Sequence, residues 1–137
     1  MQNDLWLNAS SKDLTTAKEF FQKIGFEMNE KHGNPEMVSM FVGNNRVVVN
    51  LFPETTFKMF TNSAINNSKE TTEVLFSLGA SSREEVDSIA KKAVEAGGNL
   101  FAKPGEKDGW MYGCGFADLD GHRWNILFMD MSKLPKR

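Results

Sequence analysis

One order of elements occurs twice in this chain: a short apolar strand, a capped amphipathic helix that stops at glycine, and three further strands. In the first copy Leu5-Trp6-Leu7-Asn8-Ala9 reads as a strand, and Ser10, Ser11 and Asp13 are candidate caps for a helix starting near Asp13. Leu14, Ala17, Phe20, Phe21 and Ile24 recur at helical spacing, and Gly25 stands where the helix should end. A strand over 26–30 and a turn at His32-Gly33-Asn34-Pro35 follow. Apolar runs at 37–42 and 47–52, separated by Gly43-Asn44-Asn45-Arg46, predict a hairpin, because Gly and Asn tolerate the backbone of a tight turn.

The second copy repeats this order. Residues 74–78 read as a strand, Ser82 with Glu85 forms a capping box, and Val86, Ile89, Ala90, Ala93 and Val94 make the apolar face of a helix ending at Gly97-Gly98. A strand at 99–102, a charged turn at 103–109, and strands at 110–116 and 123–129 joined through Asp118-Leu119-Asp120-Gly121 complete it. Such a repeat predicts an α+β chain of two tandem βαβββ modules and suggests a duplicated half-barrel. We expect one domain over 1–137, with module one at about 1–53, a connector at 54–70 and module two at about 71–131. The connector is polar and interrupted by Phe57, Met59, Phe60 and Ile65; it reads as a surface segment with a short packed turn, or as a lid over a pocket.

Composition narrows the function classes. At 137 residues and 40% hydrophobic content the chain can bury a real core. Sixteen basic and eighteen acidic residues, interspersed, leave a net charge of −2, which argues against nucleic acid as a partner. The apolar runs are too short for a membrane helix, and Met1-Gln2-Asn3-Asp4 lacks the start of a signal peptide. Cys114 is the single cysteine, so no intramolecular disulfide can form and a reducing cytoplasm is the expected home. Flanked by Gly113 and Gly115 inside a strand, without a basic neighbour, it reads as a buried, inert thiol.

Several local stretches, in order, resemble the glyoxalase/bleomycin resistance protein/extradiol dioxygenase superfamily, also called vicinal oxygen chelate proteins. They are Ser11-Lys12-Asp13-Leu14, Phe20 through Phe26 at the first helix end, Ala93 through Gly98 at the second, and Asp118-Leu119-Asp120-Gly121-His122-Arg123-Trp124. The last is similar to the family's Asp-Pro-Asp-Gly turn, with Leu119 in place of proline. The resemblance implies a curved mixed-sheet half-barrel to which each module contributes four strands, with the helices outside and an open cup between the halves, and, in the family's enzymes, a divalent metal held by His, Gln or Glu from the first and fourth strand of each module. If the chain is an enzyme, it would be a lyase or dioxygenase of this type.

Carried over position by position, those ligands fall on Trp6, Asn50, Leu75 and Asn125, with Glu73 as an alternative beside Leu75. Trp and Leu offer no lone pair, and neutral Asn is a poor ligand for transition metals, so no metal and no cofactor are expected. His32 and His122 read as solvated or turn-capping, and Asp118 with Asp120 as a hairpin turn rather than a calcium loop.

Residues two apart on a strand share a face. If Trp6, Asn50 and Asn125 point into the cup, then Asn8, Val48, Phe52, Leu127 and Met129 do too, joined by Leu75 and Ser77, with Glu73 at the rim. Leu5, Leu7, Val49, Leu51, Val74, Phe76, Leu78, Trp124, Ile126 and Phe128 then pack beneath the helices. The expected pocket is Trp6, Asn8, Asn50, Phe52, Ser77, Asn125, Leu127 and Met129, a mixture of apolar walls and amides suited to a small, largely uncharged ligand. A homodimer is expected because the resemblance implies modules that close a barrel within one chain or across two. A divergent metal-dependent enzyme and a structural domain with a filled cup remain the alternative readings.

Overall fold

The computed structural model describes residues 4–31 and 36–133, so His32 and the turn expected at 32–35 lie outside the described residues. Module one runs β1 (Trp6–Ser11), α1 (Leu14–Lys23), β2 (Glu27–Met28), β3 (Val38–Val42) and β4 (Val47–Pro53). Helix α2 (Glu54–Thr61) leads towards module two, which runs β5 (Leu75–Gly79), α3 (Arg83–Glu95), β6 (Asn99–Lys107), β7 (Met111–Ala117) and β8 (Arg123–Met129). A single 3-10 turn over Met131–Lys133 follows.

The sheets have the same plan. Their strand orders are β1-β4-β3-β2 and β5-β8-β7-β6, with the first pair parallel and the others antiparallel. Each parallel pair needs a crossover, and the capped helices begin it. The Asp13 carboxylate accepts from Thr16 N at 3.2 Å, and the Ser82 hydroxyl accepts from Glu85 N at 3.0 Å. Glu85 completes the second cap by accepting from Ser81 N, one residue before the position a standard capping box uses.

Alternation along the strands divides each sheet into two faces, and the helix-facing sides of both modules merge into one hydrophobic cluster. Phe20 and Phe21 of α1 reach module two, where their ring centroids lie 6.0 Å from Phe116 and 5.5 Å from Trp124. Phe26 meets Trp124 at 5.3 Å, and Phe76 stacks on it at 4.5 Å. Fully burying an aromatic or aliphatic side chain of this kind is worth about 1.5–3 kcal/mol, so these contacts bind the modules together strongly.

The core differs from expectation at Val94, which is 51% exposed on α3, and at two strand positions. Leu5 is 70% exposed and Val74 is 54% exposed, because each precedes the first paired residue of its strand. Two segments also differ. The connector forms α2, and the charged segment expected as a turn instead extends β6 to Lys107 through two register irregularities. Proline at 104 offers no N–H to a ladder, and it falls within the second irregularity, between Ala102 and Gly105. Among the described residues no helix is long and apolar enough to cross a membrane.

Candidate functional site

The sides of the sheets turned away from the shared core carry the residues expected to line the cup. In module one, register pairs Asn8 with Asn50 and Asn50 with Ser39. Asn50 Nδ2 donates to Asn8 Oδ1 at 3.0 Å, and Asn29 Nδ2 donates to the Ser39 hydroxyl at 3.3 Å. A polar row, Asn8-Asn50-Ser39-Asn29, therefore crosses the sheet. Ser39 and Asn29 were not among the sequence candidates; the flanking Val38 and Met40 on the opposite face are the signal that could have found Ser39.

At the end of this row Phe52 meets Phe60 of α2 edge to face at 5.1 Å, so the connector supplies an aromatic side chain beside the predicted pocket wall. Trp6 stands 62% exposed on the same face.

The module-two face matches it position for position. Ser77 pairs with Asn125, as Asn8 does with Asn50, and Leu75 pairs with Arg123, as Trp6 does with Val48. Gly115 stands opposite Asn125, where module one has Ser39. Its missing side chain is required, because a Cβ there would come within 2.5 Å of the Phe101 ring. Gly113 likewise makes room for Leu127, whose Cδ2 would lie 2.6 Å from an added Cβ. Met129, at the far end, is 46% exposed.

Strand alternation places one further group on this face that the sequence reading overlooked. Arg123 lies two residues before Asn125, and its guanidinium sits over the Phe101 ring at 4.4 Å from the centroid. The inner surface is therefore not free of ionised groups apart from Glu73. Glu73 itself is exposed and lines a crevice of about 160 Å³ with Asn8, Ser10, Phe57, His122 and Arg123.

Among the described residues, three buried atoms on these faces lack a hydrogen-bond partner: Asn50 Oδ1, Asn125 Oδ1 and Arg123 Nε. Buried polar atoms are normally paired, at a cost of roughly 1–3 kcal/mol each when they are not.

The hairpin turn before β8 is held differently. Asp118 Oδ1 accepts from Asp120 N and His122 N at 3.0 Å, and Oδ2 accepts from the Trp124 indole at 3.1 Å. Burial pushes this carboxyl up to about 6, against the opposing pull of His122 and the indole. The other residues assigned to the turn tie the modules together. Asp120 accepts from Lys12 N at 2.8 Å, and His122 is half-buried with its ring against the Ser10 carbonyl rather than solvated. Cys114 points into the core beside Val86, and burial raises its thiol to about 11.

The glyoxalase/bleomycin resistance protein/dioxygenase superfamily model matches residues 5–126. The chain belongs to this superfamily. A solved structure of a hypothetical protein from S. aureus is similar to this superfamily member at 35% identity, over 93% of this chain and 94% of that one, with a TM-score of 0.82. A glyoxalase-related enzyme from Fulvimarina pelagi is 21% identical over 93% and 88% of the two chains, with a TM-score of 0.80. A family enzyme from Burkholderia phytofirmans PsJN is 18% identical over 93% and 99%, with a TM-score of 0.78. At these last two identities the likeness concerns the fold alone. No curated protein matches the chain.

The metal implied by the superfamily does not fit these residues. The register sets Asn8 beside Asn50 and Ser77 beside Asn125, so a shift of two residues along β1 and β5 brings neutral oxygens to the site, while the alternative, Glu73, precedes the first paired residue of β5. Among the described residues no three His, Cys, Asp or Glu side chains group to hold a metal ion.

Proposed function

We propose that this superfamily member is a cytoplasmic, metal-independent binding protein for a small molecule with a largely uncharged, apolar body, and that it works as a homodimer. The observation that carries the ligand reading is the pair of buried, partnerless amide oxygens, Asn50 Oδ1 and Asn125 Oδ1, at corresponding positions of the two modules. Trp6, Phe52, Leu127 and Met129 offer apolar area around them, while Asn8 and Ser77 supply polar edges.

The dimer reading rests on the direction of the two faces. Because α1 packs its Phe20 and Phe21 against Phe116 and Trp124, the two modules share one core, and the Asn50 and Asn125 faces are turned away from it. A second copy related by a twofold axis can bring module one of one chain against module two of the other, twice over. The exposed Trp6 and Leu75, at 62% and 52%, would gain cover by that pairing.

A thermal-shift screen of neutral aromatic and cyclic compounds on the parent, Trp6→Ala and Asn50→Leu tests the ligand reading. A compound at a hundred times its Kd should stabilise the parent by about 2.7 kcal/mol. Smaller shifts in both variants support the site; equal shifts in all three proteins, or no shift in any, refute it.

A further inference from the structure

We propose that the Arg123 end of the module-two face is a carboxylate subsite, so that the ligand bound there carries one anionic end on its otherwise uncharged body. This rests on the reading of that face as a ligand wall. Arg123 makes no ion pair with any described carboxylate, although surface arginines 46 and 83 both do. Its Nε is buried without an acceptor, and its guanidinium lies against Phe101 rather than extending into water.

An arginine held in that way is a prepared site. The ring beneath it fixes the plane of the fork, and a planar fork with unmet donors matches the two oxygens of a carboxylate. Stacking also limits the side-chain freedom that binding would otherwise remove. Beside it opens a cleft of about 360 Å³, which Arg123 lines with Lys69 of the connector, Asn99, Ala117 and Asp118. Asp118 does not compete for the guanidinium, since its oxygens already accept from two backbone amides and the Trp124 indole. Lys69 is held close by the Gly121 turn, where an added Cβ would lie 2.8 Å from Lys69 N. Two cations thus border the cleft.

Asn125 extends the specificity. It follows Arg123 by two residues on β8, about 7 Å along a strand, and its buried Oδ1 lacks a donor. A ligand that satisfies both residues has a carboxylate at one end and an O–H or N–H at about that distance. An aromatic ring between the two groups would provide the spacing.

Isothermal titration of the full chain with 4-hydroxyphenylacetate, 4-hydroxyphenylacetamide and phenylacetate tests the proposal. The parent should bind the acid about tenfold or more tightly than the amide, the size expected for a hydrogen-bonded charge pair. Arg123→Gln should remove that preference, and Arg123→Lys, which keeps the charge but loses the fork, should retain only part of it. Asn125→Leu should remove the advantage of the hydroxylated acid over phenylacetate. Circular dichroism establishes that each variant is folded; should Arg123→Gln fail to fold, the comparison rests on the parent and Arg123→Lys. Equal binding of acid and amide by the parent, binding of neither, or an unchanged preference in a folded Arg123 variant overturns the subsite. Neutral compounds that still bind in a Trp6-dependent way would leave the general ligand site standing while removing this subsite.

Discussion

His122 Nε2 lies 2.7 Å from the carbonyl oxygen of Ser10, so a ring at the start of the last strand closes onto the end of the first one. A carbonyl can only accept, which makes Nε2 the protonated nitrogen. With Asp120 accepting from Lys12 N, the turn clasps module one at two neighbouring points. Asp118 organises this clasp by holding the backbone N–H groups of both Asp120 and His122.

The clasp gives stability a definite pH dependence. Burial raises Asp118 from 3.8 to about 6 in the folded chain, so the folded state holds that proton more tightly than the unfolded one. Its contribution is fully present below pH 3.8 and is lost as pH rises through about 6. The difference corresponds to roughly 3 kcal/mol at most. Urea denaturation from pH 4 to 7 should show this loss in the parent, and Asp118→Asn should lack it even if its absolute stability is lower. Parallel pH profiles for the two proteins would contradict the assignment.

Gly121 should not accept a side chain. Its φ is +86°, and a Cβ would lie 2.8 Å from the Ser68 carbonyl carbon and oxygen. Strain and overpacking against backbone together should cost Gly121→Ala roughly 2–5 kcal/mol in chemical denaturation. A loss within error of zero would mean that the connector does not rest on this turn.

The purified chain should have the mass of a dimer by light scattering at micromolar concentration. Trp6→Glu, which puts a charge on the exposed module-one face, should shift the equilibrium towards monomer. A monomer mass for the parent across the accessible concentration range would rule out a cup shared between two copies.

Elemental analysis of untagged protein should find no stoichiometric zinc, iron, nickel or manganese. The reason is the neutral oxygen set at Asn8, Asn50, Ser77 and Asn125. A full equivalent of any of these metals that disappears in Asn125→Ala would reverse this conclusion.

Much of the candidate face could be read from alternation. Trp124 and Asn125 are adjacent in sequence yet belong to opposite environments, because successive side chains of a strand point to opposite sides. The same rule places Arg123 with Asn125, and across the sheet Arg123 pairs with Leu75. Helix α2 carried a weaker signal. It has eight residues and begins after Pro53 without a side-chain cap, and its Phe60 packs on Phe52. Such a short helix depends on tertiary contact more than on propensity. The extension of β6 was hidden by Pro104 and Gly105, which locally favour a turn; pairing of Gly105 with Gly113 and Glu106 with Tyr112 overrides that preference.

The sequence by itself determined the two βαβββ units, their caps and glycine stops, and the division of each strand into apolar and mixed faces. These depend on interactions between residues close along the chain or on the fixed two-residue period of a strand. Only the tertiary structure decided that both helix-facing sides share one core, that the two amide-bearing faces are therefore turned away from it, and that Arg123 rests on Phe101 without an acidic partner among the described residues. The contacts responsible, Phe20 with Phe116 and Phe21 with Trp124, join residues far apart in sequence. Local periodicity shows which side of an element is apolar, but the packing of distant apolar sides decides what each one meets.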